Sequence, residues 1–382
     1  MAVYDSVSGR TYFVWASADW AVCIAYYDHA TGITSGANIV GRFPDFDAHR
    51  NPSLLIDENG YIYVFWGSHG DNTHVSRSAF PRDIISSFVA RADIAGVTSY
   101  PQPHQLSAGK ITVLYRPSTG GWASRTSSDG CATWGAETTI ALSNLTEGSE
   151  GHGVYAICVS EEGAYPRKLH MIWTSLKVPE QIRKHFWYAR STDGVSWTKS
   201  DGTAYTLPAD ETTAEKIFDS GSDQVNTQDI QLDSAGNPYA LISHGANGGL
   251  QAEDGGPWYF KLVKKKAGTW QSFDITQGDH QFDNGALVIV ADNDFRALLP
   301  TSASQINEDG GNIEEWKSTD GGETWTKVAT LTNDPLSHNN VKTVRGHQPE
   351  FLAFWSYGDS VNPSDVTLRR YGSGGVRTIT RT

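Results

Sequence analysis

The stretch Asp57-Glu-Asn-Gly60, followed by Tyr61-Ile-Tyr-Val-Phe-Trp66, decides the fold. It joins a turn, built from residues that bond their own backbone or accept positive φ, to a short apolar and aromatic run. In front of it stands His49-Arg-Asn-Pro-Ser-Leu-Leu-Ile-Asp57, so two apolar runs flank one turn and the whole reads as a β-hairpin. The phrase recurs. Asp5 to Gly9 leads into Thr11-Tyr-Phe-Val-Trp15, and Ser107-Ala-Gly109 into Ile111-Thr-Val-Leu-Tyr115. Glu161-Glu-Gly163 leads into Leu169-His-Met-Ile-Trp173, and Asp233-Ser-Ala-Gly236 into Tyr239-Ala-Leu-Ile-Ser243. Asp292-Asn-Asp294 precedes Arg296-Ala-Leu-Leu299, and Arg345-Gly346 precedes Phe351-Leu-Ala-Phe-Trp355. The copies begin roughly 50 to 70 residues apart, the mark of a repeat architecture.

A second turn alternates with the first. Ser127-Ser-Asp129-Gly-Cys-Ala-Thr-Trp134, Ser191-Thr-Asp193-Gly-Val-Ser-Trp197 and Ser318-Thr-Asp320-Gly-Gly-Glu-Thr-Trp325 share Ser-x-Asp-Gly and a nearby Trp, and Asp254-Gly-Gly-Pro-Trp258 is a degenerate copy. The steps between these Asp residues are 64, 61 and 66 residues. These turns resemble the Asp-boxes (BNR repeats) of sialidases and related β-propellers. Their role is local: carboxylate to backbone N–H, Gly at positive φ, Trp between sheets. Two hairpins per unit and about seven units predict an all-β chain, a seven-bladed β-propeller with four-stranded antiparallel blades, as one domain over residues 1–382. Thr212 to Ile217 is the one short helix expected. Two final strands, 366–371 and 376–380, are expected at the C-terminus, one of them completing the first blade.

Composition narrows the function. With 38 Gly and 13 Trp against 2 Met, the chain suits many turns and aromatic grooves. A net charge of −13 argues against nonspecific nucleic-acid binding, and it requires any polyanionic ligand to be held by a local basic patch. No apolar run of membrane-spanning length exists. Residues 1–5 lack the features of a signal peptide, so a leader is expected to be absent from this sequence. Three Cys are too few and too scattered for a disulfide framework or zinc knuckle.

Hairpin topology says which residues meet, because the start of a hairpin's first strand and the end of its second share one edge. The starts collect His49 to Asn51, Tyr100, His104, His152, Asn226 to Asp229, Asp283-Asn284 and His338 to Asn340. The ends collect His69, Tyr115-Arg116, Trp173-Thr174, Ser243-His244, Thr301 and Ser356-Tyr357. One face of the propeller is therefore rich in His, Tyr, Asn and Trp, and the site belongs there. The densest cluster is His49, His69, Tyr115 and Arg116, with Arg125 on the next strand. Two imidazoles, a phenol and a guanidinium suit β-elimination from a uronate: a cation neutralises the carboxylate, a base removes the C5 proton, and an acid protonates the leaving oxygen.

The segment Asp45-Phe-Asp-Ala-His49-Arg-Asn51-Pro, with Gly60 to Gly70, resembles the BNR-repeat polysaccharide lyases that cut ulvan. The resemblance extends through Ser99-Tyr-Pro-Gln-Pro103, Leu114-Tyr-Arg116 and Tyr188-Ala-Arg190-Ser191, to about residue 200. It implies an acid/base pair at His49 and Tyr115, and carboxylate neutralisation by His69 and Arg125, with Arg116 as the alternative to Arg125. Substrate binding is expected at Asn51, Arg116, Trp173, Tyr188, Arg190 and His244. Each has an ordinary alternative: Trp173 and Tyr188 as packing, Arg125 as a partner of the turn. The resemblance further implies an anionic polysaccharide partner and an extracellular or periplasmic, monomeric enzyme that needs no cofactor. Structural zinc or calcium is left open, with His152, Cys158 and His170 the nearest to a ligand set. Two other readings stand beside it. One is an exo-sialidase-like glycoside hydrolase, which Tyr115-Arg-Pro117 faintly suggests. The other is a non-catalytic carbohydrate-binding propeller.

Overall fold

The computed structural model describes residues 1–17, 19–43, 52–67, 71–96, 98–144, 153–177, 182–245, 257–278, 280–301, 310–334, 336–357 and 367–379. Every regular element among them is a β-strand. Residues 53–90, 98–141, 224–278 and 286–330 each form a four-stranded antiparallel sheet, and residues 154–218 a five-stranded one. The first and last parts of the chain share a nine-stranded sheet. Its two antiparallel groups, 2–42 and 338–379, are joined where Ala2 and Val3 pair in parallel with Val344 and Arg345.

Local chemistry explains the turns. Asp57 accepts the N–H groups of Asn59 at 2.9 Å and Tyr61 at 2.8 Å, and Gly60 takes φ +84° where a side chain would be strained. In the Ser-x-Asp-Gly turns, Asp129 accepts from Ala132 and Thr133, Asp193 from Val195 and Ser196, and Asp320 from Glu323 and Thr324. Trp134 donates across to the carbonyl of Ala92 at 2.8 Å, which ties one sheet to the one before it. Asp254 lies outside the described residues.

The core lies between sheets. Leu55, Tyr63, Phe65 and Val75 pack on Ile111, Val113 and Tyr115, and Leu114 and Trp122 pack on Trp173 and Trp187. Each four-stranded group shares an apolar layer in this way with the next, and Phe13, Trp15 and Tyr27 close the series on Phe351, Phe354 and Leu368. Fully burying one such side chain contributes about 1.5–3 kcal/mol, so the layers between sheets hold the assembly together.

Two expectations are corrected. Residues 212–217 are not helical: Asp210 accepts the N–H groups of Thr212 and Thr213 in a turn, and Glu215–Phe218 runs on as a strand beside Ile182–Ser191. The C-terminal strands Thr367–Gly372 and Gly375–Ile379 both stay with Phe351–Tyr357. Neither completes the first group, because Ala2–Asp5 pairs with Arg10–Ala16 and fills that place itself.

Candidate active site

The strand registers confirm which ends share an edge. Ser99 pairs with Arg116, Val154 with Ser175, Ser175 with Lys184, and Asn226 with Ser243. Tyr100, Arg116, Tyr155, Arg183 and Asn226 therefore all stand at one edge of three consecutive sheets. Tyr100 is placed by a bulge: between the pairs Ser99–Arg116 and Gln102–Leu114, two residues, Tyr100 and Pro101, oppose the single residue Tyr115. Pro101 brings no N–H to the ladder, and Tyr100 takes φ +57°, a conformation that costs a bulky residue of order 1–3 kcal/mol. Its phenol is half-buried.

Two guanidiniums meet at this edge. The Arg116 Cζ lies 4.8 Å from the ring centre of Tyr100 and 5.1 Å from that of Tyr155. The Arg183 Cζ lies 4.3 Å from the Tyr155 ring centre and 5.5 Å from that of Phe282. Arg183 Nη1 donates to Asn226 Oδ1 at 2.8 Å, and Asn226 Nδ2 in turn donates to the Gln281 carbonyl at 2.6 Å. Arg116 is 2% exposed, yet among the described residues its Nη1 has no hydrogen-bond partner, and neither has the buried Nε of Arg183. Among the described residues no carboxylate pairs with either. Burial pushes the Tyr155 phenol up, but Arg183 and Arg116 outweigh it and bring that phenol below its ordinary value. The edge is cation-rich within a protein of net charge −13.

Residues 10–278 match the model of the BNR repeat-containing family. The chain belongs to that family. Its curated relatives include the PL25 ulvan lyase of Pseudoalteromonas sp. (strain PLSV), 24% identical over 364 residues, covering 85% of this chain and 73% of the relative. The ulvan lyase of Alteromonas sp. (strain LOR) is 22% identical, with coverage of 85% and 73%. Among solved structures, a PL25 ulvan lyase superposes with a TM-score of 0.80 at 18% identity, covering 99% of this chain and 93% of the other. The polysaccharide lyase Uly1 gives 0.63 at 11% identity, covering 100% and 90%. The chain is thus a BNR-repeat, ulvan-lyase-like protein.

The structure sorts the site residues expected for this family member. His49, Asn51 and His69 lie outside the described residues, as does His152. The described chain on either side of the hairpin that carries them, Pro52 and Gly67, ends at the same edge as Tyr100. Arg116 is at the site. Tyr115 and Arg125 come together, but elsewhere. Tyr115 is fully buried against Tyr63, Phe65 and Val75 of the preceding sheet. Its hydroxyl donates to Glu137 Oε2 at 2.5 Å and accepts from Arg125 Nε at 3.0 Å. Burial, then the Glu137 bond, pushes that phenol far above its ordinary value. Side chains alternate along a strand, so Tyr115 faces one neighbouring sheet while Arg116 faces the other. In this structure Tyr115 and Arg125 brace the packing between sheets rather than stand beside Arg116.

The structure places four further expected residues. Trp173 is 1% exposed and stacks on Trp187 at 6.3 Å, inside a core layer. Tyr188 is equally buried, with its hydroxyl at 2.7 Å from His170 Nδ1. Arg190 pairs with Thr198 beside the Ser191 turn, at the opposite edge. His244 is at the right edge, but its Nε2 is 3.3 Å from Asp223 and its ring lies against Phe218. Two other histidines expected at the open edge are engaged inside the structure. His104 is buried in mid-strand beside Arg345, and His338 binds Asp334 at 2.8 Å and accepts from Trp355 at 3.2 Å.

Among the described residues no group of three or more His, Cys, Asp or Glu side chains could hold a metal ion. His170 is engaged by Tyr188, and Cys158 is a buried thiol whose pKa burial pushes up. Sequence reading missed Tyr155 and Arg183 entirely. Tyr155 begins the first strand of its sheet, where the hairpin rule already applies, and Arg183 begins the third, which the rule reaches once that strand is included.

Proposed function

We propose that this protein is a polysaccharide lyase that cleaves a uronate-containing, sulfated, ulvan-like polysaccharide by β-elimination. The observation that carries the reading is the pair of guanidiniums at the open edge, Arg116 and Arg183, held against two phenols with no carboxylate partner among the described residues. Removing such cations from water without a counter-charge is costly, and an anionic substrate supplies one. The related structure bound to -[GlcA(1-4)Rha3S]- has both a carboxylate and a sulfate in its ligand.

In this reading the uronate carboxylate docks over Tyr100 and Tyr155 and draws on the charge of Arg116 buried beside both rings. A cation there stabilises the charge that moves onto the carboxylate as the C5 proton leaves. The C5–H bond breaks, the electron pair forms the C4–C5 double bond, and the C4–O bond breaks with its pair on the leaving oxygen. Tyr100 and His49 share the two proton transfers. Arg116 lies against the Tyr100 ring, its Cζ 4.8 Å from the ring centre. His69 neutralises the carboxylate beside Arg116. Tyr100 replaces Tyr115 in this scheme because it stands, half-buried, at the open edge with its ring against Arg116.

The same reading takes the four-stranded groups as the blades of one seven-bladed propeller over residues 1–382, with the site at one mouth. It also takes the protein as a monomer that works outside the cytoplasm. A retaining hydrolase needs two carboxylates roughly 5 Å apart, and among the described residues no carboxylate pairs with Arg116 or Arg183. The test is a screen of ulvan, glucuronan, alginate and glycosaminoglycans. Ultraviolet-absorbing 4,5-unsaturated ends are the expected product. New reducing ends without that absorbance identify a hydrolase, and retention without any new ends identifies a binding protein.

A further inference from the structure

We infer that Arg183 is a second anion-binding residue, separate in role from Arg116, that takes a sulfate ester or carboxylate on the sugar next to the uronate. The inference rests on the lyase reading for its substrate, while its geometry stands alone. Arg183 begins the strand Ile182–Ser191, one sheet further round than Arg116. Its guanidinium is fixed on three sides: the Tyr155 ring at 4.3 Å, the Phe282 ring at 5.5 Å, and Asn226 Oδ1 at 2.8 Å. Those partners come from three successive sheets and their lead-in segments. All are neutral, so they orient the charge without cancelling it.

A structural arginine is usually finished by a carboxylate. Arg296 has Asp294 and Glu315, and Arg82 has Asp5. Arg183 has none among the described residues, and its buried Nε lacks any partner. A planar fork held at Nη1 by Asn226 and unpartnered at Nε matches the oxygens of a sulfate or carboxylate. Arg116 lies against the same Tyr155 ring, so the two cations repel until anions arrive. Two anions on neighbouring sugars satisfy both. The arrangement would select chains that are doubly charged over chains carrying uronate alone.

The test compares three ligands by calorimetric titration: sulfated ulvan oligosaccharides, the same chains chemically desulfated, and the same chains with carboxyls reduced. A Tyr100→Phe background keeps the ligand intact, and Arg183→Gln and Arg183→Lys are placed on it. Arg183→Gln is expected to weaken the sulfated ligand roughly tenfold, about 1.4 kcal/mol, and to leave the desulfated one unchanged. Arg183→Lys, which keeps charge but loses the fork, falls between. An equal loss on sulfated and desulfated chains that vanishes on reduced ones identifies a carboxylate as the anion, within the same inference. Wild-type affinity of Arg183→Gln for all three ligands overturns it. Arg183→Lys answers the question if the Gln variant does not fold. In the otherwise native enzyme, Arg183→Gln should raise KM and leave kcat within about twofold. A fall in kcat at constant KM contradicts a binding role. Because binding is read directly, a failure of the lyase reading (no unsaturated product from wild type) stays distinct from a failure here.

Discussion

Arg116 lies beneath Tyr100, its guanidinium carbon 4.8 Å from the ring centre, with one N–H group turned to no partner. A buried cation stacked on a strained tyrosine has a structural cost and, among the described residues, no structural return from a counter-ion. The relationship makes sense as a site waiting for a carboxylate. Replacing Arg116 with Gln is expected to lower kcat/KM by about 10²–10³, the usual loss when one group stabilising developing charge is removed. Arg116→Lys should recover little, because a point charge cannot reproduce the planar fork. Steady-state kinetics on the screened polysaccharide checks both.

Tyr115, one residue away, should behave in the opposite way. Its hydroxyl bridges Glu137 and Arg125 inside the layer between sheets. Tyr115→Phe leaves the Glu137 carboxylate and Arg125 without that bridge, at a cost of about 1–3 kcal/mol. The melting temperature should fall while kcat/KM stays within about tenfold of wild type. Arg125→Gln is expected to show the same pattern. A large loss of activity without loss of stability in either variant would return them to the site.

The contrast between Tyr115 and Arg116 shows what the sequence carried and what it did not. The repeat phrase made the ends of each hairpin's two strands legible, and the hairpin rule placed Tyr100, Arg116 and His244 at one edge. It could not say which neighbouring sheet a side chain faces, since that depends on register, and one residue reverses it. Tyr100 escaped notice as a reacting group because a bulge and a positive φ, which set its direction, leave only a Ser-Tyr-Pro string in the sequence. Arg183 was invisible because it begins the third strand of its sheet, which no repeated turn announces. The Trp and Tyr residues of strand interiors, Trp173 and Tyr188, went where apolar alternation sends them, into the core.

Acid should loosen the turns before it reaches the core. Asp129 is held at about 2 by the Thr133 hydroxyl and surrounding N–H groups, and Asp210 at about 2 by Thr212 and Thr213. Asp320 is likewise held well below the ordinary carboxylate range, first by Thr324. Folded values below unfolded ones mean that the stabilisation is complete above the unfolded pKa of about 4 and is lost as pH falls toward about 2. The melting temperature should therefore be flat above about pH 5 and drop between about pH 4 and 2. Replacing Asp129 and Asp320 with Asn should flatten that drop, and an unchanged acid limb in the double variant would count against the turns as its source.

The most direct measurement is the ultraviolet absorbance of products from a uronate polysaccharide, made in parallel by wild type, Tyr100→Phe and Tyr115→Phe. Wild type and Tyr115→Phe should both accumulate the 4,5-unsaturated product, and Tyr100→Phe should slow it by about 10²–10⁴, the range for losing a general acid or base. Wild-type rates from Tyr100→Phe, with the signal lost in Tyr115→Phe at unchanged stability, would contradict the account.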